Sequence, residues 1–138
     1  MKTREIQLLE LRPEIPTAVV TNLMSNDERF QNTTLRPVIK LQNDLLIEVF
    51  KNYITKHKSV FYQMTLEKRI IYIENSIQKD IKFRNSLKGI IIGQFTVIEY
   101  QEYIKNSSSL NKRMMNLVKE RVLDSIQLLE KTDVLANS

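Results

Sequence analysis

PVIKLQNDLLIEVFKNYIT, running from Pro37 to Thr55, is the stretch on which the fold turns. Wound as a helix, its apolar side chains spread over roughly two thirds of the circumference. Val38, Ile39, Leu41, Leu45, Leu46, Ile47, Val49, Phe50, Tyr53 and Ile54 make up this arc, while Lys40, Asp44, Glu48, Lys51 and Thr55 share the remaining stripe. A surface helix shows the opposite proportion. This one is therefore expected to be packed on two sides, with Pro37 in its first turn, where a missing N–H costs nothing. Around it the sequence predicts an all-α fold: a compact bundle of five or six helices with this segment at the centre.

Outward from the centre, the helix ends are marked by their own residues. Ser25-Asn26-Asp27-Glu28 is a capping box, opening a helix that should end near Thr34. Arg36 precedes Pro37 and is biased away from helical geometry, which predicts a break there. Lys56-His57-Lys58 closes the central helix with positive charge, as the macrodipole favours, and this accounts for the one histidine of the chain. Thr65 caps a helix with Leu66, Ile70, Ile73, Ile77 and Ile81 on one face, and Asp80 caps the next. That next segment has an apolar face at Phe83, Leu87, Ile90 and Ile91. Ser86, Gly89 and Gly93 make a second, small-residue face, which predicts a close crossing against a neighbouring backbone. The run IIIGQFTVI is read as helix, with a buried strand as the competing reading.

Thr96 to Glu99 is a further capping box. Asn106-Ser107-Ser108-Ser109 is the clearest loop signal, followed by a last helix from about Leu110 to Lys131. At the other end Pro13 and Pro16 make residues 1–16 a strap, and residues 132–138 are expected to fray. The whole of 1–138 is read as one helical domain.

Composition narrows function by exclusion. The 138 residues contain no cysteine, two glycines and three prolines. Disulfides and thiolate chemistry are excluded, and sheet architectures would need more turn residues. No apolar run reaches the length of a membrane span, and residues 1–16 lack a signal-peptide core, so a cytoplasmic, soluble protein is expected, with no membrane partner. One histidine, no Gly-rich phosphate loop and no nucleophile elbow leave no cofactor, metal site or catalytic set to name. Asp44 and Glu48 read as ion-pair partners of Lys40 and Lys51.

The net charge of +5 lies mainly in residues 31–93. Lys79, Lys82, Arg84 and Lys88 form a candidate basic patch. Ser108, Ser109, Lys112 and Arg113 form a candidate anion site, because cations in a first helical turn oppose the macrodipole and sit beside free N–H groups. The bland alternative there is an acid, Glu99 or Glu102, folding back onto the two cations.

The strings LRPEIPTAVV, FQNTTLRPVIKLQNDLL and DIKFRNSLKGIIIGQF resemble a group of short, uncharacterised bacterial proteins that sometimes carry a glyoxalase label. The likeness covers roughly residues 11–129. The label implies a metal-dependent lyase with paired βαβββ modules and His and Glu ligands on strands. None of the three strings is a catalytic motif, and no ligand carries over residue by residue. Three classes of function follow. The first is association, as a homo-oligomer or with a protein partner; the second is phosphate or nucleic-acid binding; the third is an enzyme of the glyoxalase kind.

Overall fold

The helix starts marked by Ser25, Thr65, Asp80 and Thr96 are capped in the structure as the sequence requires. Each side-chain oxygen accepts the N–H three residues on, at 3.1 Å from Glu28, 3.4 Å from Lys68, 3.2 Å from Phe83 and 3.1 Å from Glu99. The structure, a computed structural model, describes residues 3–130, so the expected fraying of 132–138 lies outside the described residues. The helices are α1 (Arg4–Leu11), α2 (Asn26–Phe30), α3 (Arg36–Leu41), α4 (Asn43–Lys56), α5 (Leu66–Lys79), α6 (Ile81–Ile92), α7 (Val97–Tyr103) and α8 (Ser107–Asp124). Residues 26–56 form one long, kinked helical segment, so the bundle is made of six packed helices, and no strand occurs among the described residues. None of these helices is long and apolar enough to cross a membrane.

The expected break before Pro37 does not occur. A π turn, Gln31–Leu35, carries the helix from α2 into α3, and Arg36 itself is helical at φ −60° and ψ −49°. A proline inside a helix clashes with the carbonyl four residues back and leaves it unpaired. The wider π turn accommodates both, since its hydrogen bonds run one residue further. The real bend comes later, at Gln42 (φ −88°, ψ 2°), whose side-chain Nε2 donates to the Ile90 carbonyl at 3.1 Å.

The buried side chains form one cluster, to which Val38, Ile39, Leu46, Ile47, Phe50 and Ile54 of the Pro37–Thr55 stretch belong. Helix α8 shares the centre with it. Leu110, Met114, Met115, Leu117, Val118 and Val122 are all buried, and α8 touches α3, α4, α5, α6 and the π turn. A two-sided central helix is thus satisfied within the chain. Leu45, Leu66 and Ile81, expected inward, are exposed because they lie at the edges of their apolar stripes. Helix α8 begins at Ser107, not after the Asn106–Ser109 segment, and gives way to a 3-10 turn at Ile126–Leu129.

The small-residue face does not make the expected close crossing. Ser86, Gly89 and Gly93 are exposed, and nothing lies within 4 Å of where a Cβ on Gly89 would stand. Gly93 is tighter, with its Cβ position 3.0 Å from the Gly89 carbonyl oxygen. The physical reason is phase: Phe83, Leu87 and Ile91 turn the apolar side of α6 inward, and the glycines sit away from it. Gly89→Ala should therefore stabilise the fold by up to about 1 kcal/mol through helix propensity alone. Urea unfolding of the two proteins checks this, and a destabilised variant would mean that another backbone approaches α6 there.

Candidate functional site

The start of α8 does bind an anion, and the protein supplies it. Ser109 Oγ donates to Asp27 Oδ2 at 2.6 Å, and Asn106 Nδ2 reaches both carboxylate oxygens of Asp27 at 2.9 and 3.0 Å. Arg113 donates to Gln31 Oε1 at 2.9 Å. The Ser109 hydrogen bond, opposed by burial and helped by Asn106 and Arg113, holds Asp27 below the usual carboxylate range. The compensating acid is thus Asp27 of α2, and neither Glu99 nor Glu102. Of the four residues grouped as a candidate anion site, Ser109 and Arg113 have internal partners, while Ser108 and Lys112 are exposed. Holding Asn106 and Ser109 on α2 also explains why an apparent loop is ordered as helix.

Glu99 has a second internal task. Its carboxylate receives two Arg12 N–H groups at 2.6 Å each, the Thr34 hydroxyl at 2.7 Å and the Thr96 amide at 2.8 Å. Burial disfavours its charge, yet the hydrogen bonds from Arg12, Thr96 and Thr34 outweigh burial and keep it below the ordinary range. Arg12 also donates to the Gln94 carbonyl at 2.9 Å, so the strap is pinned to the α6–α7 turn. Above this pair lies a cleft of about 480 Å³ between α1, α2 and α7, with Leu9, Phe30 and Ile98 on its walls. Helix α1 buries no residue of its own and is tied down by polar contacts, including Glu5 accepting the Val97 N–H at 3.0 Å.

The four-residue basic patch is split by the helix that carries it. Lys82 and Arg84 stand about 200° apart around α6, with the buried line of Phe83, Leu87 and Ile91 between them. Arg84 and Lys88 share one flank. Lys82 lies on the other side, close to Lys79 across the α5–α6 corner. What replaces the patch is a corner where two helix ends meet. Tyr53 Oη donates to Asp80 Oδ2 at 2.8 Å, which places the end of α4 against the α5–α6 junction. That bond, with the Phe83 amide and the nearby His57, keeps Asp80 below the ordinary range. Lys56 and His57 follow Tyr53 by three and four residues, and Lys79 follows Tyr72 and Ser76 by seven and three. Helical spacing therefore turns all three toward the same corner. Lys56, His57, Lys58, Lys79 and Lys82 are exposed, and none of the four lysines has an ion-pair partner among the described residues.

Aromatic rings run from the core to this surface. Phe83 lies 4.1 Å from Tyr53, and Tyr53 stacks on His57 at 4.0 Å with 25° between the planes. His57 Nδ1 is 2.8 Å from the Tyr53 carbonyl oxygen, the geometry of a ring N–H donating to it. Beyond it Lys58 and Ser59 take left-handed conformations, at φ 63° and φ 57°, which turn the chain sharply away. The sequence shows the basic knot and the aromatic at helical spacing before it. The approach of this knot to Asp80 depends on the Tyr53–Asp80 bond, which no local pattern announces.

No family model, curated protein or solved structure matches this chain. Among the described residues no three His, Cys, Asp or Glu side chains converge as metal ligands. The strand modules implied by a glyoxalase label likewise have no counterpart there.

Proposed function

We propose that the protein binds nucleic acid through the corner formed by the end of α4 and the α5–α6 junction. The observation that carries this reading is the Tyr53–Asp80 hydrogen bond of 2.8 Å, because it joins the end of α4, with Lys56 and Lys58, to the α5–α6 junction, with Lys79 and Lys82. These four exposed lysines have no ion-pair partner among the described residues. Such a surplus of exposed positive charge suits a phosphodiester backbone, and binding of that kind releases counterions and weakens with salt. Four phosphate contacts predict that the logarithm of affinity falls with the logarithm of salt at a slope of about −3 for a single strand. Fluorescence anisotropy with a labelled oligonucleotide across a salt series measures it. The double variant Lys79→Gln, Lys82→Gln should halve the slope. Absent binding at low salt, or a slope unchanged by the double variant, rejects the reading.

A second reading has one observation in its favour. Leu9 and Ile98 remain 54% and 71% exposed at the mouth of the cleft beside α1, where a second copy of the chain would cover them. Size-exclusion chromatography with light scattering tests self-association directly, and a mass of one chain at high concentration discards it.

A further inference from the structure

Charge alone would suit duplex, single strand or any other polyanion, but the corner has a second component. His57 lies at the outer end of the ring stack, with one face on Tyr53 at 4.0 Å and its residue exposed to solvent. Tyr53 in turn is fixed on three sides: by Phe83 at 4.1 Å, by Phe50 at 5.8 Å and by its hydrogen bond to Asp80. The imidazole is therefore held flat by its neighbour and by its Nδ1 contact to the Tyr53 carbonyl. A rigid, planar, exposed ring bordered by lysines is the arrangement that receives an unpaired base, since each base has a π face and each linkage a negative charge. Bases in a duplex are already stacked on one another and cannot reach it without being flipped out.

We propose that the exposed face of His57 is a stacking platform for an unpaired nucleobase, with Lys56, Lys58, Lys79 and Lys82 holding the flanking phosphates, so that the ligand is single-stranded nucleic acid. This rests on the nucleic-acid reading of the same corner. The ring supplies area and the lysines supply charge, so the two contributions separate in different ligands. A single strand uses both; heparin, which has no bases, uses the charge alone.

The test measures anisotropy of labelled twelve-residue oligouridine and oligothymidine, a duplex of equal length, and heparin as competitor. The proteins are the full chain, His57→Ala and His57→Phe. His57 is exposed, so circular dichroism should show both variants folded; the phenylalanine variant also keeps a ring in place if alanine disturbs the helix end. Base stacking on an aromatic predicts that His57→Ala lowers single-strand affinity by about fivefold or more. Heparin affinity should be unchanged, and His57→Phe should stay within about twofold of the parent. Equal affinity of parent and His57→Ala for single strands overturns the platform and leaves the charge-based reading standing. So does a parallel loss of heparin binding, which would make the imidazole a charge. No binding of any of the four ligands at low salt overturns both.

Discussion

Arg12→Ala should lower the unfolding free energy by about 3–5 kcal/mol, the effect of removing one partner from a buried ion pair. The Arg12 side chain is only 7% exposed and that of Glu99 16%, so the variant leaves a largely buried carboxylate without its charged partner. The variant leaves the Glu99 carboxylate with the Thr34 hydroxyl and the Thr96 amide alone. It also releases the strap, because Arg12 is the residue that joins α1 to Glu99 and to the Gln94 carbonyl. Urea unfolding followed by circular dichroism gives the number. A loss below about 1 kcal/mol would mean that the pair behaves like a solvated surface bridge.

The same pair predicts a pH dependence. Glu99, Asp27 and Asp80 all ionise more readily folded than unfolded. Their stabilisation is complete above the unfolded carboxylate values and is lost as pH falls through the lower, folded ones. The protein should therefore lose stability in acid, below about pH 4. In Arg12→Ala the Glu99 share of that loss should shrink or reverse, because burial then acts with less opposition.

Phe50→Ala should cost about 3–5 kcal/mol as well, for a different reason. Phe50 is completely buried on α4 and meets Phe83 edge-on at 5.7 Å and Tyr72 at 6.4 Å. These rings come from three helices, so the cavity would open where α4, α5 and α6 meet and cannot close by moving one side chain. Phe50→Leu should lose less, since it fills most of the volume. Denaturant unfolding checks both, and a cost near 1 kcal/mol for alanine would place Phe50 in a site that collapses easily.

What was legible in the sequence was local. Ser25, Thr65, Asp80 and Thr96 announce helix starts because a cap needs only a side chain and an amide three residues away. The apolar arc of 37–55 announces burial because 100° per residue fixes which side chains share a face. Pro37 misled, since the π turn that absorbs it has no residue signature of its own. Ser86, Gly89 and Gly93 misled because small residues at helical spacing suit a tight crossing and an open face equally. Asn106 to Ser109 read as loop from composition, and the bonds of Asn106 and Ser109 to the distant Asp27 are not visible in any local window. The Arg12–Glu99 pair spans 87 positions along the chain and left no trace in any window. The candidate site followed the same division: Lys56-His57-Lys58 was visible as a basic knot, while its neighbours across the Tyr53–Asp80 bond were not.

The most direct measurement is a set of amide spectra of isotopically labelled protein, titrated at low salt with a short unlabelled oligouridine. Binding at the proposed corner predicts that the amide signals of residues 56–59 and 79–83 move together and saturate, while those of residues 107–113, where Ser109 and Arg113 already have internal partners, stay in place. Signals of 56–59 and 79–83 that do not move, or shifts confined to 107–113, would contradict it.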